Sequence, residues 1–156
     1  MGKAEVLQAA VSIERNGAAF YREAADYMME EPARHMMLRL AAMEDAHAKI
    51  FSCIQAPAGG DPKADERAVS LLRSLADEGI FGAAEVSPMR LAQEGDVRGI
   101  LRKALGLEKD SVVFYVALKD MLPDPAAKEA IDSVIREELG HITLLAGELE
   151  SRNRKK

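Results

Sequence analysis

A chain of 156 residues in which 48% are apolar by a broad count, but only 4% are aromatic and none is tryptophan, can bury the core of one domain and lacks the aromatic supply of a β-sandwich. Its net charge of -5, with basic residues scattered apart from a short end at Arg152 to Lys156, argues against a nucleic-acid-binding surface, and a single cysteine, Cys53, excludes an internal disulfide or a cysteine-based metal site within one chain. No apolar run is long enough to span a bilayer, and the start from Met1 to Val6 carries neither a secretory nor a myristoylation pattern, so no membrane partner and a cytoplasmic location are expected.

In chain order, apolar residues recur at helical spacing over residues 4–29, 33–55, 96–122 and 125–150, which predicts an all-α four-helix bundle in a single domain spanning 1–156. The first two helices are joined by a short turn around Glu30, Glu31 and Pro32, and the last two by Pro123, Asp124 and Pro125, where proline closes one helix and opens the next. Each pair therefore forms an antiparallel hairpin. Between the hairpins the run from Ala56 to Pro62, rich in glycine and proline, cannot continue a helix and starts a long crossover. Within it, Val69, Leu72 and Leu75 give residues 65–77 an amphipathic pattern that Gly79 ends, and Ser87 followed by Pro88 reads as a helix start. Such a connection returns the chain to the far side of its own bundle or lets one hairpin pack on another subunit. The basic end reads as a frayed helix C-terminus whose cations complement the helix dipole.

The chain nearly repeats itself. A shift of 94 residues, without a gap, lays Glu14, Phe20, Tyr21, Glu44 and His47 on Glu108, Phe114, Tyr115, Glu138 and His141. Each half thus carries one Glu followed by Glu-x-x-His, and residues three apart share a helix face, so Glu44 with His47 and Glu138 with His141 can point inward together. Glu137 lies four residues before His141 but aligns with Met43, which makes Glu138 the better candidate. Glu14 and Glu108 are flanked by apolar or small residues and should face the core. Four carboxylates in a bundle interior lose hydration and repel one another, and two divalent cations would balance them. Oxygen-rich ligation with one imidazole per metal suits iron or manganese. The expected ligands are Glu14, Glu44, His47, Glu108, Glu138 and His141, with Glu44 and Glu138 shared, Glu14 and His47 completing one metal, and Glu108 and His141 the other.

The remaining chemistry-bearing residues read more plainly. Tyr21 and Tyr115 lie seven residues after Glu14 and Glu108, about 20° off the same face, and are assigned to packing or ligand orientation, so no catalytic residue is named beyond the metal ligands. His35, whose counterpart is Glu129, reads as a surface histidine. Met28, Met29, Met36, Met37 and Met43 read as core filler, and Cys53 as a buried, inert thiol.

On the stretches Ile13-Glu14-Arg15 with Phe20-Tyr21, Met43 to His47, Leu107 to Ser111 with Phe114-Tyr115, and Glu137 to His141, the chain resembles the rubrerythrin-like branch of the ferritin-like superfamily. The resemblance covers nearly the whole chain and implies two hairpins joined by a long crossover around a di-iron centre. Full-length rubrerythrins add a four-cysteine rubredoxin iron site, which one cysteine cannot build, so the electron donor is expected to be another protein. They also carry a further glutamate three residues after the third-helix ligand, involved in redox-linked iron movement, where this chain has Ser111.

The function expected is a peroxidase- or oxidase-like reaction of a diferrous centre with hydrogen peroxide or dioxygen, in oxidative-stress defence, with reducing equivalents from outside. The alternative is a non-catalytic metal-binding or iron-handling module. Iron is the expected metal, manganese the other candidate, and a homodimer the expected assembly.

Overall fold

A computed structural model of the protein describes residues 2–56, 66, 69–74, 88 and 97–155. Four long helices dominate: α1 (Lys3–Ala25), α2 (Glu31–Cys53), α3 (Val97–Met121) and α4 (Pro125–Arg154). Local chemistry sets their starts. The Glu5 carboxylate reaches back to accept the Gly2 amide at 2.8 Å, Pro32 sits in the first turn of α2, and Asp124 caps α4 by accepting the Ala127 amide at 3.2 Å, with Pro125 opening that helix.

Two helix ends differ from the sequence reading by a full turn, each for a local reason. α1 stops at Ala25 instead of running to Met29, because the amides of Asp26, Tyr27 and Met28 bond three residues back to Glu23, Ala24 and Ala25 in a tightened turn. That turn tucks Met28 into the core and leaves Met29 94% exposed. α4 continues past Glu150 to Arg154, held by ion pairs from Arg152 to Glu148 and from Arg154 to Glu150 one turn apart, so the basic end is ordered helix through Arg154.

The interior is two apolar clusters with a polar layer between them. One contains Val6, Ala10, Phe51, Leu118 and Ile131, the other Ala24, Met37, Leu40, Leu101 and Leu145. Following each helix from one cluster to the other gives its direction: α1 and α4 run one way, α2 and α3 the opposite way. The end of α2 and the start of α3 therefore lie at opposite ends of the bundle, so the connection between them traverses its length, as expected of a ferritin-like crossover. Both hairpins meet within one chain. In the crossover residues 69–74 are helical, and Leu72 is fully buried in the cluster that holds Phe51. Pro88 is helical and buried as well, whereas Leu75, Gly79 and Ser87 fall outside the described residues. Leu72→Ala should lower stability by about 2–5 kcal/mol in urea unfolding, since it removes a leucine that seals one end of the core.

Other sequence expectations divide. His35 is on the surface, 3.5 Å from Glu31. Cys53 is exposed and not buried: it lies two residues, about 200°, past the inward-facing Phe51 on the last turn of α2. Of the five methionines read as core filler, Met28 and Met37 are buried, Met29 is exposed, and Met36 and Met43 lie in between. Among the described residues no helix is long and apolar enough to cross a membrane.

Candidate metal centre

The layer between the two apolar clusters is made of the six residues that the repeat singled out. α1 supplies Glu14, α2 Glu44 and His47, α3 Glu108, and α4 Glu138 and His141, none more than 2% exposed. Helix periodicity explains the convergence, since Ala10, Glu14 and Phe20 to Tyr21 lie on the buried face of α1 and Leu40, Glu44, His47 and Phe51 on that of α2.

Both imidazoles turn Nδ1 toward the carboxylates. His47 Nδ1 lies 2.9 Å from Glu138 Oε1, 3.5 Å from Glu44 and 3.6 Å from Glu14, while His141 Nδ1 lies 3.1 Å from Glu138 Oε2, 3.4 Å from Glu44 and 3.5 Å from Glu108. The rings are near parallel, inclined by 22° with centroids 5.8 Å apart. Two overlapping sets of potential ligand atoms result, each with its atoms within 4.8 Å of one another: Glu14, Glu44, His47 and Glu138, and Glu44, Glu108, Glu138 and His141. Glu44 and Glu138 belong to both.

The electrostatics are those of a site where protons take the place of cations. Burial and the neighbouring Glu44 carboxyl push the Glu14 carboxyl well above its ordinary range, and burial together with Glu138 pushes Glu108 up to about 7. Burial also raises Glu44. Burial acts to raise Glu138 too, but the neighbouring Glu108 carboxyl and the hydrogen bonds it accepts from His141 and His47 outweigh that and hold it below the usual carboxylate value. Burial disfavours charge on the imidazoles, yet the surrounding carboxylates prevail, raising His47 far above its ordinary value and His141 to about 12. Without metal these shifts favour imidazolium ions and an ionised Glu138, and favour the protonated form of the other three glutamates.

Protons do not satisfy every atom. Among the described residues, Glu14 Oε2, Glu44 Oε1 and Glu108 Oε2 are buried with no hydrogen-bond partner, because each inward Nδ1–H is spent on Glu138. Orphaned carboxylate oxygens beside two imidazole nitrogens are what a divalent cation would take up, so the residues present fit a metal pair.

The tyrosines orient the two outer carboxylates across the bundle. Tyr21 on α1 donates to Glu108 Oε1 on α3 at 2.5 Å, and Tyr115 on α3 donates to Glu14 Oε1 on α1 at 2.5 Å. Both hydroxyls are held well above the ordinary phenol range by burial and by the adjacent glutamates, so they stay protonated as donors. Spacing placed these rings near the interior but did not show that each serves the other half's glutamate. Tyr115→Phe leaves both Glu14 oxygens buried and unbonded, and should cost about 1–3 kcal/mol of metal-free stability in chemical denaturation.

Two further positions depart from simple expectation. Ser111 is buried and gives its hydroxyl to the Leu107 carbonyl at 2.9 Å, so it adds no acidic group to the layer. Glu137, set aside in the sequence as a partner for His141, instead reaches Nε2 of His47 on the opposite helix. The corresponding Nε2 of His141 lies 3.4 Å from the Met43 sulfur. The only sequence hint of this pairing was that Met43 and Glu137 are repeat counterparts.

The model of the rubrerythrin family matches residues 5–148, which include all six converging residues. The chain belongs to the rubrerythrin family. A crystal structure from Thermotoga maritima at 2.30 Å resolution, described as that of a ferritin-like diiron-carboxylate protein, is similar in fold with a TM-score of 0.69, covering 96% of this chain and 95% of that one at 22% identity. No curated protein matches the chain at a significant level. Membership in the rubrerythrin family agrees with the ferritin-like bundle and with a buried Glu/His layer suited to metal.

Proposed function

We propose that this rubrerythrin-family chain holds two iron ions and serves as a redox protein acting on hydrogen peroxide or dioxygen, with electrons delivered by a separate protein. The observation that carries the reading is the pair of overlapping ligand sets that share Glu44 and Glu138. Glu14 and His47 would complete one ion, Glu108 and His141 the other. Four carboxylates balance two divalent charges, whereas imidazolium and glutamic acid protons do so in the metal-free layer. A pair of reduced irons, when bound, supplies two electrons together, which suits the reduction of peroxide or dioxygen without release of a one-electron product.

The side chains have definite tasks in this reading. His47 and His141 would hold the ions through Nδ1 after losing its proton, while Nε2 would keep its hydrogen toward Glu137 and Met43. Glu14 and Glu108 give up their protons and stay oriented by Tyr115 and Tyr21. The apolar clusters on either side of the layer limit the volume open to water. One cysteine cannot build a four-cysteine iron site within these 156 residues, which supports delivery of electrons by a separate protein.

A second reading, iron handling without turnover, draws on Ser111, which leaves the layer with six potential ligands and no further acidic residue at that turn. Anaerobic protein loaded with ferrous ion and mixed with peroxide in a stopped-flow instrument separates the readings. Oxidation of two ferrous ions per chain faster than free ferrous ion, repeated on adding reductant, is expected. Oxidation no faster than the free ion, or uptake continuing well beyond two ions, would remove the redox reading.

A further inference from the structure

We infer that Glu137 and Met43 make the two halves of the centre unequal, so that the half built on His47 takes a divalent ion more tightly than the half built on His141. The inference rests on the metal-pair reading above.

The two halves are closely matched in most respects. Each has an imidazole Nδ1 on Glu138, at 2.9 and 3.1 Å, and a tyrosine hydroxyl on its outer glutamate at 2.5 Å. The match breaks at the outer face of the imidazoles. Met43 and Glu137 occupy the same repeat position, one residue before the shared Glu44 and Glu138, and each reaches across to the histidine on the opposite helix. The Glu137 carboxylate accepts from His47 Nε2, whereas among the described residues His141 Nε2 meets the Met43 thioether at 3.4 Å.

These partners are chemically unlike. A carboxylate that accepts the outer N–H fixes the ring and its tautomer and pushes electron density toward the inner nitrogen, which makes that nitrogen a better ligand. A thioether is a weak acceptor and contributes little of either effect. Removal of such outer partners from metal-binding histidines typically costs about 10- to 100-fold in affinity. Glu137 is 47% exposed, so water competes for its oxygens and the lower end, about tenfold, is expected here. Glu137 and Met43 are thus positioning residues: neither touches the ion, and each acts through an imidazole.

Repulsion between two adjacent cations also makes a second ion bind more weakly, so two unequal binding steps alone prove nothing. The order of filling is what discriminates. The chain has only three histidines, and His35 is on the surface, which makes nitrogen-15 labelling of histidine a direct view of both halves. Zinc(II), redox-silent and diamagnetic, is added in substoichiometric steps to metal-free protein, with signals assigned from single His→Gln variants. In the native protein the His47 ring signals should respond first, with about a tenfold preference over His141 at half an equivalent.

The swapped variant Met43→Glu with Glu137→Met should reverse that order and still bind two zinc ions, with circular dichroism confirming an unchanged helix content. Both positions lie outside the buried core, so folding is not at stake. Two zinc ions bound with His141 responding first, with both rings responding together, or with the order unchanged by the swap would overturn the inference while leaving the metal pair intact. No zinc bound at all would remove the metal pair and this inference with it.

Discussion

Glu44→Ala combined with Glu138→Ala should take metal binding from two ions per chain to none, the largest effect of any pair of substitutions in the bundle. These two carboxylates belong to both potential ligand sets, so their loss strips each half of two of its four ligands, while a change at Glu14 or Glu108 strips one half of one. Glu138 matters further without metal, because both imidazoles donate to it and it is the group held most firmly as an anion. Removing it leaves buried imidazolium charge uncompensated, at a cost of about 3–5 kcal/mol, so a fall in metal-free stability should accompany the loss of metal. Glu138→Gln should be destabilised too, since it removes the charge and turns one of the two oxygens that accept from His47 and His141 into a donor, so circular dichroism of the double variant provides the control for folding. Dialysis against a divalent ion followed by elemental analysis reads the stoichiometry. Retention of one or more tightly held ions by the double variant would mean that the metal sits elsewhere.

Metal affinity should rise steeply with pH, by at least about tenfold per pH unit for each ion below about pH 7. The metal-free layer carries protons on His47, on His141 and on Glu14, all raised above their ordinary values, and on Glu108 up to about 7. Each ion displaces at least the inner proton of its imidazole, and each proton displaced contributes about tenfold per pH unit.

The metal-free protein should show the opposite trend. A carboxyl raised to about 7 on folding contributes stability that is present below its unfolded value, near 4.5, and is lost as pH rises through about 7. An imidazole raised to about 12 contributes stability that is complete below its unfolded value, near 6.5, and declines as pH rises toward about 12. Glu138, lowered on folding, contributes in the other sense, but its window lies at and below 4.5. Thermal unfolding from about pH 5 to pH 9 should therefore show a falling Tm without metal and a widening gap between metal-free and loaded protein. A loaded protein whose advantage shrinks as pH rises would contradict this proton and metal exchange.

How much of this was legible in the sequence depended on what kind of information each feature needed. Glu14, Glu44, His47, Glu108, Glu138 and His141 could be picked out because a ligand must recur in both halves and must fall on a core-facing turn, and both conditions are written in the spacing. The bundle and its hairpins followed from periodicity and proline placement. Partner choice across the bundle was not legible: Tyr21 and Glu108 are on different helices, and only packing shows that they meet. Glu137 was rightly set aside in favour of Glu138, but its contact with His47 was hidden for the same reason, since the two lie on different helices. Cys53 and Met29 show the limit at helix ends, where one tightened turn decides whether an apolar side chain is tucked in or left outside.

The central claim, that six buried side chains form a centre for two iron ions, is tested most directly by the metal content of protein purified anaerobically from iron-sufficient cells. Elemental analysis should give about two irons per chain, a value that the six-ligand set with two shared carboxylates predicts. Protein that is folded by circular dichroism yet carries no metal, and acquires none on incubation with ferrous ion, would contradict it.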